Sequence, residues 1–165
     1  FFMCVFIMLV LVFFTMDTEH YQLELMTFDI GGIEYGIDLF SVIQTCPVST
    51  VTKLPNMPSY LLGIFDIHGQ RVPVIDLASF DSVRIDSLNG TTGVFIVVEV
   101  NSVQLAIYSD CIRNVLSIPS NDLKSNPLCK VSRFIRGFIS SNATTVSVLD
   151  LEKIIKLSGL CTNNV

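Results

Sequence analysis

Residues Tyr60 to Leu77 read YLLGIFDIHGQRVPVIDL, and this stretch decides the fold. Tyr60 to Ile67 is mostly apolar, His68-Gly69-Gln70 is a turn, and Arg71 to Leu77 is apolar again. Two such runs about a glycine turn predict a pair of strands. Pro73 cannot donate to a ladder, so its strand lies at an edge or carries a bulge. The pattern then returns. Tyr60-Leu-Leu-Gly63 with Val74-Ile-Asp-Leu77 resembles Phe134-Ile-Arg-Gly137 with Val148-Leu-Asp-Leu151. Both glycines and both aspartates stand 74 residues apart, and Gly36-Ile37 precedes Ala106-Ile107 by 70. Units of about 70 residues are too small to bury an open sheet, so each is expected to close on itself. The reading is two small β-barrels side by side, with chance similarity between amphipathic strands as the alternative.

Working outward, short strands alternate with turn signals. Leu23 to Ile30 and Ile33 to Ile37 flank Gly31-Gly32, a hairpin turn. Asp38 to Thr45 reads as one helical turn running into a strand, and Val48 to Leu54 as a β-branched strand ending at Pro55. Ser79 to Gly90 is polar and reads as the linker. Gly93 to Val100 is apolar almost throughout, as a strand buried on both faces would be. Val103 to Tyr108 and Ile112 to Ile118 follow, then a polar loop from Asn121 to Ser132. Phe134 to Ile139 and Thr145 to Leu149 form the last hairpin. Asp150 to Leu157 is a short C-terminal helix, with Asp150 as N-cap and apolar residues at 151, 154, 155 and 157.

The chain has 165 residues, half of them hydrophobic and 15% charged, so a disordered chain is excluded. Ten Lys and Arg stand against 15 Asp and Glu, with no basic run, which argues against nucleic acid as a partner. Phe1 to Val12, Phe13 and Phe14 are apolar without interruption. The run is shorter than a membrane span, which takes about 18 residues or more. No charged region precedes it and no small-residue cleavage site follows. Residues 1–15 are therefore read as an extension outside the fold, and residues 16–165 as the folded domain, with Met16 the expected start. A truncated membrane anchor or export signal is the alternative. The two barrel subdomains leave room for strand exchange at their junction.

Chemistry is scarce. Cysteines at 4, 46, 111, 129 and 161 show no Cys-x-x-Cys spacing, against a zinc knuckle or a disulfide framework. The sequons at Asn89 and Asn142 read as turns. His68 is the single histidine within the fold, and no nucleophile elbow, zinc helix or phosphate loop accompanies it. A thiol or hydrolase site using His68 with Cys46 or Asp66 is the enzymatic alternative. Asp76 and Asp150 end strands and are expected to bond nearby backbone amides. No enzyme, cofactor or metal is expected. Strand edges and the seam between barrels suit partner helices or strands. Gly63-Ile64 and Val42-Ile43 are candidate contacts, with core packing the competing role.

Phe28-Asp-Ile-Gly-Gly-Ile-Glu-Tyr35-Gly36-Ile37-Asp38-Leu39, Val42, Leu54-Pro55, Pro58, Tyr60, Gly63, Gly69 and Val72-Pro73-Val74-Ile75-Asp76-Leu77 resemble the CheW family of chemotaxis coupling proteins. The likeness runs from about Gln22 to Leu157, more loosely in the C-terminal half through Ile107, Asp110, Val115, Ile118, Gly137 and Leu149-Asp150-Leu151. It implies an all-β fold of two five-stranded SH3-like β-barrels with a short C-terminal helix. It implies a cytoplasmic adaptor without catalytic activity or direct membrane insertion, recruited to membrane receptor arrays. The partners implied are the cytoplasmic tip of a chemoreceptor and the regulatory domain of a CheA-type histidine kinase. Carried over by position, Val42, Gly63 and Val115 fall in the receptor-binding groove. The family usually has Arg before the turn glycine, where His68 precedes Gly69, and an acid where Gln44 stands. The resemblance puts Gln44, His68 and Gly69 in the same groove, and the departures at Gln44 and His68 leave it without the usual charges. They leave open an adaptor of a divergent chemosensory pathway, such as one controlling pili. An exported or membrane-anchored β-barrel binding domain is the remaining alternative.

Overall fold

A computed structural model describes residues 22–81, 92–125, 133–141 and 144–159. Residues 1–15, most of the expected linker and both sequon asparagines lie outside them. Eleven strands and one helix make up the described chain. The strands are β1 (Gln22–Ile30), β2 (Ile33–Asp38), β3 (Val42–Pro47), β4 (Leu61–Ile67), β5 (Gln70–Ile75) and β6 (Val94–Val100). They continue with β7 (Val103–Ser109), β8 (Cys111–Pro119), β9 (Lys124–Ser125), β10 (Ile135–Ser141) and β11 (Thr144–Leu149). Helix α1 is Leu151–Leu157.

These strands form two SH3-like sheets, one of five strands in the order β3-β6-β7-β5-β4 and one of six in the order β8-β1-β2-β11-β10-β9. Each sheet mixes strands from both halves of the sequence. β6 and β7 complete the sheet of β3, β4 and β5, while β1 and β2 join β8 to β11. The crossings are two short parallel pairings, Val74 with Ala106 and Val148 with Gly36. The two crossings sit at equivalent places in the repeat. So do Gly63 opposite Val74 and Gly137 opposite Val148, each beside a register shift. Asp76 N donates to Tyr60 O at 2.8 Å, and Asp150 N to Phe134 O at 2.7 Å.

In each sheet the chain runs directly from one edge strand to the other. β8 leads through a 3-10 turn into β9, which pairs with β10. In the five-stranded sheet the segment after β3 returns to β4 through one bridge, Thr52 with Ile64, bonded in both directions at 2.8 and 2.9 Å. The strand expected over Val48 to Leu54 thus reduces to that bridge. Conversely, the polar loop expected from Asn121 contains β9.

Three apolar clusters hold the molecule. Phe95, Val97, Ala106, Tyr108, Val72 and Val74 fill the five-stranded sheet. Leu23, Leu25, Ile139, Val146 and Val148 fill the six-stranded one. The third joins the sheets, with Phe28 and Ile37 from one, Ile75, Ile96 and Ile107 from the other, and Ile154 and Ile155 of α1. Period-two alternation sends successive residues of β6 to different clusters, Phe95 and Val97 inward, Ile96 and Val98 to the shared core. That is why Gly93 to Val100 has almost no polar face. Helix α1 starts at Asp150, whose Oδ1 accepts from Lys153 N at 3.1 Å, as its sequence position predicts. Asp76 plays the matching part, accepting from Ala78 N and the Ser79 hydroxyl.

Candidate functional site

The site builds from strand β3. Asp38 Oδ1 accepts from Phe40 N at 2.9 Å and starts a 3-10 turn, Leu39–Ser41. That turn projects Phe40, which at 85% is the most exposed large hydrophobic residue described. In β3 the register against β6 shifts between Val42 and Gln44, a bulge with Ile43 as the extra residue. Val42 packs half-buried against the shared core, whereas Ile43 is 49% exposed. A bulge on an edge strand discourages sheet-to-sheet pairing and re-aims side chains. Here it turns an apolar side chain outward.

Beside Ile43 lies a cleft of about 260 Å³, lined by Gln44, Ile67, His68, Gln70, Val97 and Gln104. His68 and Gly69 form the two-residue turn between β4 and β5, both with positive φ, 50° and 85°. Gly69 N donates to Asp66 Oδ1 at 2.9 Å, which fixes the turn and leaves His68 exposed. Gln44 and His68, 24 positions apart in sequence, therefore share one cleft.

The other expected residues are placed differently. Gly63 is buried, with φ +155° at the β4 bulge. A Cβ there would meet Thr52 O at 2.8 Å and Val51 Cβ at 3.0 Å, so its outer side is covered by the chain itself. Gly63, expected in the receptor-binding groove with core packing as the competing role, lies under the returning Val51–Thr52 segment. Val115 is 54% exposed on β8 in the six-stranded sheet, opposite Met26. The register of β8 against β1 also shifts there, and Ile112 is exposed nearby. Both edge strands β3 and β8 thus carry a bulge with outward apolar residues. Phe40 escaped the sequence reading because an exposed and a buried phenylalanine are the same letter. Its signal was Asp38, a cap residue two positions earlier.

The chemistry around the cleft is that of contact. Cys46 packs half-buried against the five-stranded sheet's cluster, with Sγ 3.8 Å from Phe95 O, and burial pushes its thiol up. A nucleophilic thiolate needs the opposite shift. Among the described residues no cluster of three or more His, Cys, Asp or Glu could hold a metal ion. Among them, too, no helix is long and apolar enough to cross a membrane. Charge gathers elsewhere, at the corner where Arg113 pairs with Asp29 at 2.9 Å and Asp110 accepts from Gly31 N at 2.6 Å. Hydrogen bonding to Asp29 holds the guanidinium of Arg113 in its charged form.

The family model of the CheW-like domain matches residues 24–158, both sheets and the helix. The chain belongs to the CheW family. A chemotaxis protein CheW of Treponema pallidum is 29% identical over 145 residues, covering 84% of this chain and 85% of that protein. Protein FrzA of Myxococcus xanthus is 24% identical over 137 residues, with 81% and 85% covered. Among solved structures, the scaffolding protein TtCheW of Thermoanaerobacter tengcongensis superposes with a TM-score of 0.72 at 21% identity, covering 82% of this chain and 88% of that one. Membership sets the class: this CheW-like chain is a non-enzymatic adaptor of chemotaxis-type signal transduction. The thiol-enzyme alternative falls with it.

Proposed function

We propose that this chain couples the cytoplasmic tip of a chemoreceptor to the regulatory domain of a CheA-type histidine kinase, in the cytoplasm at membrane receptor arrays. The receptor side would be β3 and the β4–β5 turn, with Val42, Gln44, His68 and Gly69, joined by Val115 on β8. Phe40 and Ile43 would be its apolar anchors, and Gly63 its support rather than a contact. The observation that carries this is the outward pair Phe40 and Ile43, which no core of the molecule uses, beside the Gln44–His68 cleft. Large apolar side chains standing alone in solvent at a bulged edge suit an interface centre. Residues 16–165 would be the working domain, with residues 1–15 an extension outside it. Gln44 and His68 in place of the usual charged residues favour a second reading, an adaptor of a divergent chemosensory pathway such as one moving pili.

The test is Ile43→Asp and Phe40→Asp, with binding to a receptor-tip hairpin and to the kinase regulatory domain measured separately. Receptor affinity should fall tenfold or more, kinase affinity less than threefold, and the thermal midpoint by less than about 2 °C. Unchanged receptor binding would place the site elsewhere.

A further inference from the structure

We propose that the cleft at Gln44 is a specificity pocket for an uncharged, hydrogen-bonding side chain, Asn, Gln, Ser or Thr, on the partner's helix. This rests on the reading that a receptor hairpin docks across β3. The cleft is about 260 Å³. Two turns of helix occupy roughly 1,000 Å³, so the cleft takes side chains and the helix itself must lie outside. No carboxylate, ammonium or guanidinium group lines it. Its floor is Val97 and Ile67, and its polar groups are the amides of Gln44, Gln70 and Gln104 with the His68 ring.

Two other clefts among the described residues differ in kind. One is lined by Asp29, Glu34 and Arg113, another by Asp38, Arg136, Asp150 and Glu152. Charged groups therefore line those clefts and not this one, where a carboxylate enters only behind Gln104. Gln104 Nε2 donates to Glu99 Oε2 at 2.8 Å, which leaves its carbonyl oxygen to accept. Gln44, His68 and Gln70 have no side-chain hydrogen-bond partner among the described residues. An amide both donates and accepts, so the pocket matches a partner group that does the same. An anionic partner side chain would lose its water here, meet no ammonium or guanidinium group in the lining and face Glu99 behind Gln104, which disfavours it strongly, while a cationic one would find the Glu99 carboxylate already engaged by Gln104. A purely apolar one would strand the amides instead.

The experiment measures binding of the native host's receptor-tip hairpin and of the kinase regulatory domain by calorimetry at pH 7.5. For the wild-type chain, receptor affinity should change less than threefold between 50 and 500 mM salt, because no ion pair forms. Gln44→Glu should weaken the receptor tenfold or more and leave the kinase domain within twofold. Gln44→Met, similar in size but unable to hydrogen-bond, should weaken it threefold or more. A Gln44→Glu chain that binds like wild type, or a wild-type affinity that falls tenfold with salt, overturns the pocket while leaving the receptor reading standing. A wild-type chain that binds the kinase domain but not the hairpin overturns both.

Discussion

Replacing Gly63 by alanine should loosen the five-stranded sheet at one defined point. The residue has φ +155°, and a Cβ would sit 2.8 Å from Thr52 O and 3.0 Å from Val51 Cβ. Val51 is packed against the sheet's apolar cluster and cannot swing away freely. Thr52 O is the acceptor for Ile64 N at 2.9 Å, and Thr52 N donates to Ile64 O at 2.8 Å. Relieving the clash breaks this bridge, at about 1 kcal/mol for each hydrogen bond. The strained φ adds about 1 kcal/mol or more. The total is about 3 kcal/mol, which for a chain of this length lowers the thermal midpoint by roughly 6–12 °C. Gly69→Ala is the control. Its φ is +85°, yet a Cβ there meets nothing within 4 Å, so it bears strain alone. Circular-dichroism melts of the two variants should differ by more than twofold in their loss. If Gly63→Ala melts where Gly69→Ala does, the contact with Thr52 has been misjudged and Gly63 is free for a partner.

Phe95 is fully buried, its ring tilted against Phe65 at a centroid distance of 5.1 Å. Phe95→Ala should cost about 3–5 kcal/mol in urea unfolding, and a loss under about 1 kcal/mol would contradict the packing of β6. The thiols should separate by rate. Burial raises the pKa of Cys46, so at pH 8 it holds less thiolate than an ordinary cysteine, and its alkylation should climb at higher pH. Site-resolved mass spectrometry should find it modified at least several-fold more slowly than exposed Cys111. Equal rates would show that Cys46 is open to solvent.

Much of this architecture was legible in the residues for physical reasons. The two-residue turns at Gly31-Gly32 and His68-Gly69 need positive φ, and small or glycine-containing pairs announce that. The double burial of β6 showed as an apolar run broken only by Glu99. The repeat showed in Gly63 and Gly137, Asp76 and Asp150. Which strands share a sheet did not show, because the parallel pairs Val74–Ala106 and Val148–Gly36 join segments far apart in sequence. The cover over Gly63 did not show for a similar reason, since the Val51–Thr52 segment that forms it returns from after another strand. In the site, Gln44, His68 and Gly69 stood out by resemblance. The outward turn of Phe40 and Ile43 depends on a cap and a bulge that set direction without changing composition.

The proposed adaptor role requires the chain to hold two proteins at once. Its most direct test mixes the chain with a receptor-tip hairpin and a CheA-type regulatory domain and determines the mass of the complexes by light scattering after size exclusion. One species containing all three is expected, and none joining receptor to kinase domain when the chain is omitted. A receptor hairpin that displaces the kinase domain, so that only binary complexes form, would contradict it.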